Sequence, residues 1–307
     1  MEEKNVYEGL TISPLSNLLL HPDTTKEETY PTGFKKLDEM LGGGYKPGLH
    51  FLAGFANSGK SAMAFQMALQ MSERDIPVLY FSLELADKEC TSRMLSLISR
   101  KTMGENAYTA YDFLNPEMFD GDKKADYEQI VAETEKASKN IYLMASPLTS
   151  LNANMVAKVI DDFIEMHGKR PMVIIDCLHM LRVQNDEYLS EQQRVEINLH
   201  RLKAITDEYN VPILCTTWIS RSEYDRAITL KSLKQSNYVA LYANTILGLQ
   251  LEGSGTKWFD FIEATGRRPR KMELVILKNK NAMVGQIIEY SFDLKYNYII
   301  EGDKKST

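Results

Sequence analysis

The segment GFANSGKS at Gly54–Ser61 has the residue types and spacing of a phosphate-binding loop. It lies between a predicted strand, Leu49–Ala53, and a predicted helix, Ser61–Ser72, which is the context that the motif requires. Glycines let successive backbone N–H groups face a phosphate, and the helix N-terminus adds about half a positive charge. A plain glycine-rich turn is the alternative, but the complete motif in this context favours a nucleotide site.

Side-chain chemistry assigns roles within this loop. The Lys60 ammonium can reach the β- and γ-phosphates of ATP, and the Ser61 hydroxyl can coordinate Mg²⁺. The full set predicted to bind nucleotide is Gly54, Asn57, Ser58, Gly59, Lys60, Ser61 and Ala62.

Two acids follow other apolar runs. Asp176 ends the run Met172–Asp176, where a carboxylate can hold Mg²⁺ through water, although an acid in this place can also be structural. Glu84 follows Val78–Leu83, and ligands of parallel sheets bind at the carboxyl ends of strands, so it is predicted to polarise the water that attacks the γ-phosphate. Stabilisation of the next helix is the alternative role for Glu84, and the two roles are compatible.

A polar stretch follows the run Ile213–Thr217. Thr217 has a short polar side chain that could sense the γ-phosphate. The segment Ile219–Val239 then carries four cations: Arg221, Arg226, Lys231 and Lys234. Such a long loop is usually functional or disordered, so both a ligand-binding loop and a solvated charged loop stay open. The polar stretch Arg182–Arg194 is a second candidate loop.

Two further cations, Lys278 and Lys280, follow the run Met272–Leu277. Residues two apart on a strand project the same way, so both could reach a phosphate across a subunit boundary. Lysines that guard an exposed strand edge are the alternative. The basic run Gly266–Lys271 is assigned only to a surface loop.

The predicted elements that position these residues alternate along the chain. The apolar runs are Leu49–Ala53, Val78–Leu83, Ile141–Ala145, Met172–Asp176, Ile213–Thr217, Thr245–Leu251, Met272–Leu277 and Gln286–Ser291. Helical patterns separate the first five, at Ser61–Ser72, Asp87–Ser99, Asn154–His167 and Gln192–Tyr209. This order predicts an α/β fold with a mostly parallel central sheet flanked by helices. The last three runs lack helices between them, which predicts an antiparallel extension at one edge.

Composition sets broad limits on function. The 307 residues are 44% apolar and 25% charged, as in an ordinary soluble globular chain. No apolar run could span a bilayer, the acidic N-terminus is unlike a signal peptide, and three cysteines without metal-ligand spacing fit a reducing cytoplasm. The net charge of −6 argues against a basic DNA-binding field over the whole surface, but a narrow local groove is compatible with it.

Several motifs together resemble the RecA-like motor domain of DnaB-type replicative helicases. TGFKKLD at Thr32–Asp38 resembles the opening motif of that family, FSLEL at Phe81–Leu85 is similar to its FSLEM, and VIIDCLHML at Val173–Leu181 is similar to its VIDYLQLM. LKQS at Leu233–Ser236 stands where the family has a Leu-Arg-Glu-Ser loop. KNKNAMVG at Lys278–Gly285 stands where it has a Lys-x-Arg-Asn-Gly-Pro-x-Gly finger.

The resemblance covers about residues 30–300, and it implies a ring, commonly of six subunits, with ATP and Mg²⁺ at each boundary and single-stranded DNA in the middle. It implies that Glu84 is the catalytic glutamate and that Lys278 and Lys280 enter the neighbour's site. The residues expected to bind DNA are Arg221, Arg226, Lys231, Lys234, Gln235 and Asn237. The implied domains are a linker at 1–30 whose helix, Ser13–Leu20, docks on the adjacent protomer, a RecA-like motor domain at 31–301, and a polar tail at 302–307. The residues of the helix alone leave docking on its own domain equally open.

Three positions depart from the family pattern. Thr217, or Trp218 if the alignment shifts by one, stands where the family has a phosphate-sensing Gln. Lys280 replaces the finger Arg and lacks its planar, bidentate geometry, and Lys234-Gln235 replaces the Arg-Glu pair. The family's helical collar domain is missing from the sequence, which predicts a compact phage- or plasmid-encoded helicase in the bacterial cytoplasm, with a separate primase or loader as partner.

Two other functions stay open at this stage. A recombination ATPase of the RecA or RadA type, which forms filaments, would share the loop and Glu84, although FSLEL and the KNKN finger argue against it. A nucleotide-gated assembly module that hydrolyses ATP weakly is compatible with the changes at Thr217 and Lys280.

Overall fold

The computed structural model describes residues 28–145, 151–183, 188–234, 236–280 and 283–302. The predicted docking helix Ser13–Leu20, the predicted DNA contact Gln235 and the tail after Gly302 lie outside the described residues.

The described chain forms nine strands and nine α-helices. The strands are β1 Gly48–Gly54, β2 Val78–Ser82, β3 Ile141–Ala145, β4 Met172–Asp176, β5 Pro212–Trp218, β6 Thr245–Leu251, β7 Arg270–Asn279, β8 Ile287–Asp293 and β9 Tyr298–Glu301. The helices are α1 Lys35–Leu41, α2 Lys60–Ser72, α3 Asp87–Met103, α4 Ala110–Leu114, α5 Lys124–Ser138, α6 Ala153–His167, α7 Glu191–Tyr209, α8 Ser236–Tyr242 and α9 Phe261–Gly266. No helix within the described ranges is both long and apolar enough to cross a membrane.

All nine strands belong to one mixed sheet, in the order β3-β2-β4-β5-β1-β6-β7-β8-β9. The strands from β3 to β6 are parallel, and β7, β8 and β9 continue the sheet antiparallel at one edge. This confirms the predicted fold class. The expectation that no helix separates the last three runs was wrong, because α9 lies between β6 and β7, and β6 itself pairs parallel with β1. Strand β9 was not predicted.

The opening motif near residue 32 is a local hydrogen-bonded turn before α1. The Asp38 carboxylate accepts from the backbone N–H of Thr32 at 2.6 Å, from the Thr32 hydroxyl at 2.7 Å and from the backbone N–H of Gly33 at 3.0 Å. These contacts tie the chain to the start of α1 and satisfy buried polar groups. The motif therefore fixes the conformation of the chain at the start of α1, the helix that precedes β1.

The core explains why the central strands have near-continuous apolar sequences. Every residue of β1 is buried, because helices cover both faces of a parallel sheet. Helix α2 packs on it through side chains such as Met63 and Met67, both 0% exposed, and Phe65 stacks on Tyr80 of β2 with ring centroids 4.5 Å apart. Each such buried side chain contributes about 1.5–3 kcal/mol to folding. The core thus fixes β1 and α2, the two elements that flank the glycine-rich loop.

Residues 104–138 form a helical region that the sequence did not reveal. Its aromatic side chains cluster: the Phe119 ring lies 4.9 Å from Tyr108, 5.1 Å from Phe113 and 5.0 Å from Tyr127. Most residues of helix α5 are charged or polar, so its apolar face is too narrow to be evident in the sequence. This small aromatic core packs beside α3.

His50 in β1 should make the protein less stable in acid. Its side chain is almost fully buried, it donates from Nε2 to the Lys46 carbonyl at 2.8 Å, and burial lowers its pKa to about 4. The unfolded chain then binds more protons than the folded chain between about pH 6.5 and pH 4, so stability falls as the pH falls through that window. We expect about 2 kcal/mol less unfolding free energy from this residue at pH 5 than at pH 7.

Urea unfolding of the wild type and of His50→Gln at both pH values measures this difference. The wild type should lose more stability than His50→Gln on acidification, whereas His200→Gln, at an exposed position, should behave like the wild type. An equal loss in the wild type and His50→Gln would contradict the assignment.

Candidate nucleotide site and adjoining basic segment

The predicted phosphate-binding loop joins the end of β1 to the start of α2, at the carboxyl edge of the parallel strands. Asn57 and Gly59 have the left-handed φ values of 61° and 99°, which turn the chain tightly into the helix. A Cβ on Gly59 would lie 2.8 Å from the Phe292 ring, and a Cβ on Gly54 would lie 2.6 Å from the Ser58 hydroxyl. Neither position has room for a side chain, and Gly59 also has a backbone conformation that favours glycine.

Lys60 lies inside the curve of the loop and is only 7% exposed. Its ammonium donates to the carbonyls of Gly54 at 3.2 Å and Phe55 at 2.9 Å. Burial lowers the pKa of Lys60, while the nearby Asp176 and Glu84 carboxylates oppose that shift. An ammonium has three donors, so one N–H beyond these two contacts is available for a phosphate oxygen.

Asp176 ends β4 and is 2% exposed. The Tyr80 hydroxyl donates to one of its carboxylate oxygens at 3.2 Å, and the Thr216 hydroxyl donates to the other. Hydroxyl groups from the neighbouring strands β2 and β5 therefore fix the orientation of this carboxylate.

Glu84 follows β2 at the same edge of the sheet. Its carboxylate accepts a hydrogen bond from the Cys177 thiol at 2.9 Å. Burial, with the neighbouring carboxylates, raises the pKa of Cys177, so the thiol stays protonated and can donate. Leu83 is also tied to β4 through its N–H, which donates to the Asp176 carbonyl at 2.7 Å. The two predicted acids thus lie at the carboxyl ends of the adjacent strands β2 and β4.

A cleft of about 540 Å³ opens above the loop. Eight predicted site residues line it: Asn57, Ser58, Gly59, Lys60, Ser61, Ala62, Glu84 and Asp176. Eight further residues line it that the predicted set did not include: Ala56, Leu85, Arg93, Trp218, Arg270, Phe292, Leu294 and Asn297. Gly54, the first residue of the loop, does not line the cleft, and its lack of a side chain makes room for Ser58.

Arg270 corrects the assignment of the basic run Gly266–Lys271 to a surface loop. Gly266 ends α9, and Arg270 begins β7 and is only 5% exposed. Its guanidinium donates to the Asn57 carbonyl at 2.7 Å and to the Thr265 carbonyl at 3.0 Å. Arg270 therefore holds the outer turn of the phosphate-binding loop, and only the contact across the fold reveals this.

Thr217 and Trp218 point in different directions at the end of β5. Thr217 is buried, with its hydroxyl 3.0 Å from His179 Nε2, and it does not line the cleft. Trp218 lines the cleft. Successive side chains of a strand face opposite sides, so of the two candidate alignments only the one through Trp218 places a side chain at the cleft. A phosphate-sensing role at either residue stays a prediction.

The described residues of the segment Ile219–Val239, which are 219–234 and 236–239, include several short structural elements. Short helical turns form at Arg221–Glu223 and Leu230–Ser232, and an antiparallel bridge joins Ile219 to Leu233. Arg221, Arg226, Lys231 and Asn237 are exposed, and Lys234 is half-buried.

Tyr224 anchors this segment to the phosphate-binding loop. Its hydroxyl accepts a hydrogen bond from the Ala56 N–H at 3.2 Å, and its ring lies 5.6 Å from Phe55 and 5.4 Å from Phe261. The segment that carries the predicted DNA-binding cations therefore contacts the backbone of the phosphate-binding loop through Tyr224.

Lys278 and Lys280 lie at the other end of the sheet from the cleft. Lys278 is opposite Ile246 near the start of β6, and its ammonium donates to the Ala240 carbonyl at 2.6 Å. The Lys280 N–H donates to the Asn244 carbonyl at 3.0 Å. Neither lysine lines the cleft of its own subunit, so a role at a nucleotide requires a second copy of the chain.

Comparisons with known proteins agree with this geometry. The family described as the DnaB-like helicase C terminal domain matches residues 29–299. A replicative DNA helicase DnaB of Mycoplasma genitalium is 26% identical over 265 residues, which cover 83% of this chain and 53% of that protein. A replicative DNA helicase DnaB of Geobacillus stearothermophilus is 23% identical, with 98% of this chain and 63% of that protein covered. The chain thus spans between about half and two thirds of the length of these relatives.

Solved structures show the same fold. One, described as an ATPase domain, superposes with a TM-score of 0.75 at 20% identity, covering 94% of this chain and 96% of that one. A DnaB-like replicative helicase, solved in a study of its interactions with primase, gives a TM-score of 0.74 at 21% identity and covers 93% of this chain and 66% of that one. The sheet order, the loop and the length of the family match agree, and the chain belongs to the DnaB-like helicase C-terminal domain family.

Proposed function

We propose that this chain is an ATP-driven DNA helicase motor that works as a ring and moves along single-stranded DNA. The observation that carries the proposal is the contact between the nucleotide cleft and the cationic segment at the carboxyl edge of the sheet. One cleft contains Lys60, Glu84 and Asp176, and Tyr224 ties its loop to the cationic segment Ile219–Val239. Hydrolysis in the cleft can therefore move a DNA-contacting segment through a direct contact.

The cleft suits a triphosphate with Mg²⁺. Among the described residues, no group of three or more His, Cys, Asp or Glu could hold a metal ion by itself, so phosphate oxygens would have to complete the coordination. Ser61 and, through water, Asp176 are the oxygen ligands offered by the chain, and Mg²⁺ prefers such ligands. When bound, the ion neutralises charge that develops on the phosphates.

Each nearby side chain then has a distinct role in hydrolysis. Lys60 binds the β- and γ-phosphates, and the backbone N–H groups of the loop orient them. Glu84, aligned by the Cys177 thiol, polarises the attacking water. Arg270 keeps the loop in its bound shape through the Asn57 carbonyl.

The DNA contacts and the ring are part of the same proposal. Arg221, Arg226, Lys231, Lys234 and Asn237 would bind phosphates of the strand, a local surface that is compatible with the net charge of −6. Lys278 and Lys280 would enter the cleft of the adjacent subunit and stabilise the transition state there. Their position far from their own cleft supports this shared arrangement. A primase or a loader would be a further partner.

The family match favours this motor over a filament-forming recombination ATPase. A weakly hydrolysing nucleotide-gated module is the second candidate, and the specific observation in its favour is Lys280 in place of a planar arginine.

Steady-state ATP hydrolysis by the full chain, with and without oligo-dT, tests the proposal. We expect Mg²⁺-dependent hydrolysis that oligo-dT stimulates several-fold, together with displacement of a strand from a forked duplex. Nucleotide binding with negligible hydrolysis, unchanged by DNA, would favour the gated module. Hydrolysis coupled to filaments without strand displacement would favour the recombination ATPase.

A further inference from the structure

Lys234, one of the proposed DNA contacts, already interacts with other side chains of the protein in the absence of DNA. Its ammonium lies 3.4 Å from a carboxylate oxygen of Glu191, at the start of α7, and 5.6 Å from the centroid of the Trp218 ring. The Lys234 N–H also donates to the Trp218 carbonyl at 3.3 Å. The cation therefore has a fixed place beside a carboxylate, which is the group on the chain most similar to a DNA phosphate.

The residues around Lys234 also contact the nucleotide cleft. The His179 ring stacks on Trp218 with centroids 4.9 Å apart and an interplanar angle of 10°, and its side chain is 2% exposed. His179 Nδ1 lies 3.5 Å from the Glu191 carboxylate. Trp218 in turn lines the cleft. We call His179, Glu191, Trp218 and Lys234 the Trp218 cluster.

We propose that Glu191 and Trp218 are positioning residues that hold Lys234 in the absence of DNA, and that a DNA phosphate displaces Glu191 and thereby moves Trp218 at the nucleotide cleft. This inference rests on the proposed function, and it assigns the regulation of the DNA contact to four named side chains. The geometry supports an exchange of partners because the Lys234 and Glu191 side chains are 38% and 47% exposed, so a strand can reach both.

The ion pair between Lys234 and Glu191 is weak enough for Lys234 to exchange the carboxylate for a DNA phosphate reversibly. Ion pairs at this degree of exposure are weak, so a phosphate with its full charge can compete with the carboxylate. Removing the Glu191 charge should therefore strengthen DNA binding, by about twofold to fivefold at low salt. A purely structural role for Glu191 predicts no gain in affinity.

The binding test uses fluorescein-labelled oligo-dT and the full chain with a slowly hydrolysed ATP analogue and Mg²⁺. Fluorescence anisotropy should give a tighter dissociation constant for Glu191→Gln than for the wild type. Glu73→Gln is the matched control, since it removes the same charge from the pair with Lys101, beyond the far end of α2, and it should bind like the wild type. Unchanged or weaker binding by Glu191→Gln would overturn the inference.

The chain offers a direct optical test of the link to the cleft, since its only tryptophans are Trp218 and Trp258. Trp258 is 86% exposed, so Trp258→Phe should leave Trp218 as the sole reporter in an intact fold. Its emission should change when the ATP analogue binds and change again when unlabelled oligo-dT is added. In the double variant Trp258→Phe/Lys234→Ala, oligo-dT should no longer change the Trp218 emission, whereas the ATP analogue should still change it.

The outcomes separate this inference from the proposed function. If the wild type binds oligo-dT but Trp218 emission does not respond to it, the Trp218 cluster does not report on DNA and the inference is wrong, while the helicase proposal stands. If the wild type fails to bind oligo-dT with any nucleotide, the proposed function is wrong and the inference is wrong with it.

Discussion

Replacing Glu84 by glutamine is expected to lower the turnover number of ATP hydrolysis by about 10³-fold and to leave nucleotide affinity nearly unchanged. The amide has almost the same size and can still accept the Cys177 hydrogen bond through its oxygen. What it loses is the negative charge that polarises water. The measurements are steady-state hydrolysis in the presence of oligo-dT and, separately, equilibrium binding of a fluorescent ATP analogue.

Glu89→Gln is the matched control for Glu84→Gln. Glu89 lies in the first turn of α3, and its carboxylate accepts from the Ala86 N–H at 3.0 Å, a contact that the glutamine oxygen can keep. This variant should hydrolyse ATP at close to the wild-type rate. If Glu84→Gln also kept wild-type turnover, Glu84 would have only the helix-stabilising role, and another group would have to orient the water.

The phosphate-binding loop could be predicted from the sequence because its chemistry is local. Gly54, Gly59, Lys60 and Ser61 lie within eight consecutive positions, and the strand before them and the helix after them were evident from apolar patterning. The bounds of β3, β4 and β6 were predicted without error for a related reason: each strand is a short and mostly apolar run that the local sequence delimits.

Residues that are distant in sequence but lie at the cleft in the folded chain could not be predicted in this way. Arg270 contacts Asn57 across 213 positions of sequence, and Phe292 reaches Gly59 from the antiparallel edge. Their placement depends on the order of strands in the sheet, which no local pattern contains. Phe292, Leu294 and Asn297 lie in or just after β8, and β9, which completes that hairpin, was not predicted at all.

The distinction between Thr217 and Trp218 shows a further limit. A shift of one residue on a strand exchanges the two faces of the sheet, so an alignment uncertain by one position leaves the exposed side chain undecided. The structure places Trp218 at the cleft and Thr217 against His179. Side-chain direction, unlike the position of the strand, needs the three-dimensional register.

Replacing Lys60 by alanine is expected to weaken ATP binding by about 10-fold to 100-fold, with a corresponding loss of hydrolysis. A charged donor to a phosphate contributes roughly 1.5–3 kcal/mol, and a change of 1.4 kcal/mol is tenfold in affinity. Equilibrium titration with a fluorescent ATP analogue measures the change. Unaltered ATP affinity in this variant would contradict the assignment of Gly54–Ser61 as a phosphate-binding loop.

Stability of the free protein distinguishes a lost ligand contact from a damaged loop. Lys60 carries a buried ammonium whose pKa is lowered by desolvation, so the folded chain without nucleotide gains little from its charge. Lys60→Met keeps the length of the side chain and removes the ammonium. We expect it to lose ATP binding as Lys60→Ala does, while its unfolding free energy without nucleotide stays within about 1 kcal/mol of the wild type. A large loss of stability in Lys60→Met would mean that the contacts to the Gly54 and Phe55 carbonyls hold the loop together, and that the binding defect follows from unfolding of the loop.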